Sequence, residues 1–173
     1  MKHTAARFLL LLVAGATVLL AAKVITDYDH NVDFGRYHTY SWLKVRADPL
    51  WADRIRSAVD SQLTAKGWTP AAEGDASVAA FESTATQPRI ETFYDNFGGG
   101  WRWHGWGDGI ATTEVENIPI GTLVVDIFDT PTKKLLWRGV AKDTLSEKPE
   151  KNEKKLDKAM AEMFEHFPPK PKE

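Results

Sequence analysis

The chain of 173 residues contains no cysteine. That absence excludes disulfides, a thiol nucleophile, thiolate metal ligation and lipid attachment through Cys, so stability has to come from packing. Positive charge is not in excess either. Lys and Arg total 22 against 24 Asp and Glu, a formal net charge of -2. Setting aside the first 22 residues, which hold Lys2 and Arg7 and no acid, leaves 20 basic against 24 acidic side chains. A nucleic-acid binder needs a basic surface to neutralise phosphates, and none is expected here. Also missing are a G-x-S-x-G elbow, an H-E-x-x-H zinc motif and a G-x-x-x-x-G-K-[ST] phosphate loop. The run Gly98-Gly99-Gly100 is flanked by bulky aromatics and does not make such a loop.

The chain also has no apolar run of the ~20 residues that a bilayer-spanning helix needs. Its opening, MKHTAARFLLLLVAGATVLLAAKV, has a short positive head followed by the uncharged run Phe8–Ala22 of 15 residues. That length fits the apolar region of a secretory signal peptide. Residues 1–22 are therefore expected to direct export to the periplasm. Leu19 and Leu20 stand before Ala21 and Ala22, a poor A-x-A cleavage match. The alternative is an uncleaved N-terminal segment holding the protein at the inner membrane.

Beyond the leader, 43% hydrophobic and 27% charged residues allow one hydrophobic core. A single domain over 23–169 is expected, followed by a flexible tail at 170–173. Val24 and Ile25 lead into Asp27-Tyr28-Asp29, and after the turn-rich stretch Asp29–Gly35 the aromatic run from Tyr37 to Trp42 reads as a strand. Asp48 can cap a helix that begins at Pro49. Trp51, Ile55, Ala58 or Val59, and Leu63 recur at helical spacing, while Arg54, Arg56, Asp60 and Lys66 can face water. Gly67 should end that helix, with Trp68 packing just beyond. A strand is expected from Ala76 and becomes indistinct at Gln87-Pro88; Ile90–Phe93 resumes it. ATTEVENIP and GTLVVDIFD read as strands, the second placing Leu123, Val125 and Ile127 on one face. Asp129 and Pro131 mark a turn into a returning strand, where Trp137, Gly139 and Ala141 share a face opposite Arg138 and Lys142. Ser146 is placed to cap a last helix, whose apolar stripe comprises Leu156, Ala159, Met160, Met163, Phe164 and Phe167. Pro168-Pro169 stops it. Both helices need something to cover their apolar faces. The expected fold is α+β: a two-layer α/β sandwich with a mostly antiparallel sheet and two principal helices on one face.

Three stretches carry a family likeness. DYDHNVDFGRYHTYSW supplies Tyr28, Asp29, Phe34, Tyr37, Thr39, Tyr40 and Trp42. RIRSAVDSQLTAKGW precedes DASVAAF, and GTLVVDIFDTPTKKLLWRGVAKDTL precedes a terminal helix ending in FPP. In this order the chain resembles the DUF4136 family of bacterial cell-envelope proteins, a domain of unknown function often found in lipoproteins. The resemblance covers about Val24 to Pro169 and implies an envelope location. The lipobox cysteine of many relatives is absent, so lipid anchoring through it is excluded. The family brings no established catalytic residues to these positions.

Function rests on fewer residues. His104, with Asp95 and Asp108 nearby, is the one candidate for a metal-assisted site, but a single imidazole and two carboxylates in a glycine-rich segment fall short of a zinc pattern. Asp126 and Asp143 can oppose each other across a hairpin as a hydrolytic pair, although Asp129 is explained by its turn. No catalytic residue, metal or cofactor is assigned. Phe97, Trp101, Arg102, Trp103, His104 and Trp106 form the candidate binding segment. Trp and Arg are the residues of binding hot spots, and Trp suits positions with one wet and one apolar side. Packing across a hairpin and a loop without fixed structure remain the competing accounts of those letters. The expected activity is that of a non-enzymatic binding or structural domain facing an envelope protein, a glycan or a membrane surface. The alternative is a small envelope hydrolase or metal-dependent enzyme, in which His104 converges with two of Asp95, Asp108, Asp126 and Asp143.

Overall fold

The computed structural model describes residues 22–94 and 111–170, with side chains given within 22–88 and 116–170. Its elements are β1 (Lys23–Tyr28), a 3-10 turn (Phe34–Arg36), β2 (Thr39–Arg46), α1 (Pro49–Ala65), β3 (Thr69–Pro70), β4 (Ala76–Tyr94), β5 (Ala111–Asp129), β6 (Leu135–Thr144) and α2 (Pro149–Met163). The sheet order is β1-β6-β5-β4-β2-β3. Pairing is antiparallel except where β2 meets β3 and β4. Parallel β2 and β4 cannot be joined by a tight turn, and the crossover through α1 supplies the connection. Both helices pack on one sheet face, the expected α+β sandwich.

Helix α1 follows its sequence cues. Asp48 accepts from the Leu50 backbone N–H, Pro49 opens the helix, and Ile55, Val59 and Leu63 are buried. Each such side chain contributes about 1.5–3 kcal/mol of transfer free energy. The helix ends in a Schellman motif. The Trp68 N–H bonds to Leu63 O and the Gly67 N–H to Thr64 O, with Gly67 at φ 86°. Trp68 is 3% exposed and packs past the helix end.

Asp60 is only partly exposed, and its carboxylate turns toward β2. Its Oδ1 accepts from Tyr40 Oη at 2.7 Å and Trp42 Nε1 at 2.8 Å. Tyr40 and Trp42 are two apart on β2, so they share the helix-facing side. One carboxylate thus ties α1 to β2. The aromatic pair that carries part of the family likeness is a scaffold clamp.

One end of the space between the layers is filled with rings. Phe34, Tyr37, Trp68, Trp137, Phe164 and Phe167 are all buried. Their ring centroids lie 4.9 Å apart for Trp137–Phe164, 5.2 Å for Trp68–Phe167 and 6.0 Å for Phe34–Phe167. The Tyr37 hydroxyl donates to Asp129 Oδ2 at 2.9 Å, while Asp129 Oδ1 accepts from the Thr132 backbone N–H and hydroxyl. Asp129 is therefore held by its own turn, as its position predicts. Ser146 behaves differently from expectation. The N-cap of α2 is Lys148, without a side-chain cap, and the Ser146 hydroxyl accepts from the Lys148 N–H one step earlier. Asn152 reaches back to the Ser146 N–H and C=O, so the loop is clasped from inside the helix.

Strands β4 and β5 are each 19 residues long and pair throughout, from Ala76↔Asp129 to Tyr94↔Ala111. The break expected at Gln87-Pro88 is not there. Pro119 O accepts from the Leu145 N–H on the β6 side, so its backbone points away from β4. Pro119↔Thr86 is then a non-hydrogen-bonded pair, and so is Asn117↔Pro88 two residues on. The missing N–H of each proline falls on an outer edge, where the ladder loses nothing.

Candidate functional site

The β4–β5 pair outruns its neighbours. β2 stops pairing with β4 at Arg46↔Phe81, and β6 stops pairing with β5 at Ile120↔Thr144. From Thr86↔Pro119 to Tyr94↔Ala111 the ribbon has two strands among the described residues. At ~3.4 Å per residue, that arm extends about 30 Å beyond the six-stranded body. It leads to residues 95–110, which hold the glycine–tryptophan segment. Phe97, Trp101, Arg102, Trp103, His104 and Trp106 lie outside the described residues, as do Asp95 and Asp108.

The remaining acidic candidates are described, and they do not converge. Asp126 pairs in register with Arg138 on the helix-free face, and Asp143 pairs with Gly121 on the helix-facing side. The two carboxylates stand on opposite sides of the sheet. Asp126 is 3% exposed and bound bidentately by Arg138, Nε to Oδ1 at 2.6 Å and Nη2 to Oδ2 at 2.7 Å. Both oxygens of this carboxylate are engaged by the guanidinium. Asp143 accepts from Lys155 Nζ at 3.3 Å. Among the described residues no group of three or more His, Asp or Glu is placed to hold a metal ion. A glycosidase-type pair of Asp126 and Asp143 is ruled out by this topology.

The structure also holds a feature that no local pattern in the sequence marks. At the end of the interlayer space away from the aromatic cluster lies a cavity of about 390 Å3. Five elements meet there: α1 through Trp51 and Ile55, β4 through Glu82 and Thr84, β5 through Leu123, β6 through Ala141 and Asp143, and α2 through Lys155, Leu156 and Ala159. The residue at the entry to β1, Ala22, is part of its wall. These positions are scattered across the chain, and as sequence they read only as ordinary core and surface.

The matching family model is the Domain of unknown function (DUF4136), over residues 24–169, and the chain belongs to that family. Its motif residues now have structural roles. Tyr40 and Trp42 hold Asp60, Tyr37 holds Asp129, and Phe34 sits in the ring cluster. No curated protein matches the chain. Among solved structures, a PDZ domain protein from Parabacteroides distasonis is similar at a TM-score of 0.56 and 18% identity. The match covers 88% of this chain and 37% of that one, so this chain corresponds to a minor part of that protein. A PelC dodecamer chain from Paraburkholderia phytofirmans has a TM-score of 0.45 and 11% identity, covering 81% of this chain and 96% of its own. At these identities the likeness concerns the fold. Among the described residues, no helix is long and apolar enough to cross a membrane.

Proposed function

We propose that this chain is a non-catalytic binding or structural domain of the bacterial cell envelope, and that it makes contact through the β4–β5 arm and the segment 95–110. The observation that carries this reading is the nine-pair ribbon, which has no third strand among the described residues. A two-stranded ribbon is marginal in water by itself. A ribbon extended for about 30 Å reaches well away from the six-stranded body, which supports a role in contact. Pro88 and Pro119 remove donors from the two outer edges, which disfavours strand addition and aggregation there. Contact is then made through side chains, and Trp101, Arg102, Trp103 and Trp106 are of the hot-spot type. The short apolar leader and the family likeness support periplasmic residence or retention at the inner membrane. Partners fitting this chemistry are an envelope protein, a glycan or a membrane surface.

The test is to delete residues 88–117 and join Gln87 to Ile118, a hydrogen-bonded pair, through Asn-Gly. A two-residue Asn-Gly loop closes such a pair with the correct twist. The shortened protein should keep its melting temperature and lose its partner in cross-linking of envelope fractions. The combined Trp101→Ala, Trp103→Ala and Trp106→Ala variant should behave in the same way. Retention of the same cross-linked species by a folded, shortened protein would end the proposal. Turnover of peptidoglycan or a glycan by the purified protein would also end it. Fractionation with N-terminal sequencing checks the location, and a cytoplasmic full-length chain would overturn it.

A further inference from the structure

We infer that the interlayer cavity is a binding site for a single acyl or alkyl chain whose uncharged or zwitterionic head stays at the mouth. The site is separate from the arm, and the inference does not rest on the arm's role. Its volume of about 390 Å3 falls in the ~300–1,000 Å3 range of small-ligand pockets. Trp51, Ile55, Leu123, Ala141, Leu156 and Ala159 provide apolar walls. At the other end of the same interlayer space six rings are buried against one another. Here small and aliphatic side chains leave the space unfilled.

Most of the polar groups around the cavity are bonded to other groups of the protein. Lys155 Nζ donates to Asp143 Oδ1, Thr144 O and the Thr144 hydroxyl. Asn152 is bound to both backbone groups of Ser146, Asp48 caps α1, and Glu82 accepts from the Thr84 hydroxyl. A ligand selected by hydrogen bonds would need groups aimed at it, and these are aimed at each other. What remains to recognise is apolar surface. The charges at the rim are Asp48, Glu82 and Asp143 against Lys142 and Lys155, a mixture that does not favour an anionic head. The uncharged run Phe8–Ala22 reaches the fold at Ala22, in the cavity wall.

The test is calorimetric titration of the purified full chain with 1-monoacylglycerols of 8 to 14 carbons, each below its micelle concentration. One-to-one binding is expected, tightening about fourfold per added methylene until the cavity is full and then levelling off. Ala159→Trp and Ala141→Phe place a ring in the cavity; whichever of them keeps the parent melting temperature should bind at least tenfold more weakly. Dodecanoate should bind no more than threefold tighter than its neutral glyceride. The shortened-arm protein should bind the glycerides like the parent, which separates failure of this inference from failure of the arm. Absence of saturable binding, affinity independent of chain length, or undiminished binding by both folded ring variants would overturn it. So would binding that appears only once residues 1–22 are removed, since the cavity would then belong to the chain's own leader.

Discussion

Replacing Asp60 should be among the most damaging single changes on the surface of α1. Its carboxylate is the recorded acceptor for two donors, Tyr40 Oη at 2.7 Å and Trp42 Nε1 at 2.8 Å. Tyr40 is 0% exposed, and Trp42 is partly buried with the Arg56 guanidinium 4.8 Å from its ring centroid. Asp60→Ala leaves both donors without their acceptor, and a buried donor left unsatisfied costs about 1–3 kcal/mol. The expected loss is about 3–4 kcal/mol, a large share of the ~5–15 kcal/mol that holds a typical domain together. At ~2–4 °C per kcal/mol for a domain of this size, the melting temperature should fall by roughly 6–16 °C. Tyr40→Phe should cost less, about 1–1.5 kcal/mol, because it removes a donor and leaves a partly exposed carboxylate that water can reach. The decisive assay is a double-mutant cycle by urea denaturation. Asp60→Ala combined with Tyr40→Phe should show a coupling of at least ~1 kcal/mol. A coupling below ~0.5 kcal/mol, or Asp60→Ala within 1 kcal/mol of the parent, would refute the clamp.

Gly74→Ala should destabilise by about 3 kcal/mol or more, since an added Cβ would lie 2.4 Å from Tyr40 backbone carbon atoms, which cannot move aside as a side chain can; a thermal melt close to the parent would contradict this. Arg138→Ala should cost about 2 kcal/mol, because it strands a nearly buried Asp126 while Arg138 itself is half exposed, and the paired Arg138→Met, Asp126→Leu variant should recover part of the loss in the same assay. Alkaline pH should weaken the fold. Burial, then the bond to Asp129, pushes the Tyr37 phenol up to about 12, and burial, then Asp60, raises Tyr40 as well. Folded-state values above the unfolded value of about 10 give stability that is complete below that pH and lost as pH rises through 10 to 12. Flat urea midpoints from pH 9 to 11.5 would contradict it. Acid should act with the opposite sign. The Lys134 bond lowers Asp29, the Thr39 hydroxyl lowers Asp75 and the Thr132 hydroxyl lowers Asp129, all from 3.8. That stability is present above about pH 4 and lost as pH falls below it, which urea midpoints at pH 5 and pH 3 would read.

Features under local control are legible in the amino-acid letters alone. Asp48-Pro49 and Gly67 set the bounds of α1 because capping and a left-handed residue act within a few positions. Alternation placed Leu123, Val125 and Ile127 on the buried face because strand period is two. The turn role of Asp129 and the apolar face of α2 were legible for the same reason, and so was the two-layer class. Tertiary structure decided what depends on neighbours. Asp60 looks like a solvated helix residue until β2 brings Tyr40 and Trp42 to it. Pro88 looks like a strand break until the register puts its missing N–H on an outer edge. Asp126 and Asp143 look like possible partners, yet pairing with Arg138 and Gly121 places them on opposite faces. The cavity was the least legible feature, since its walls come from five elements and it exists only where their packing leaves space. Local backbone preference is written into adjacent letters, whereas the partner of a buried polar group and the volume left between layers are fixed only when distant segments meet.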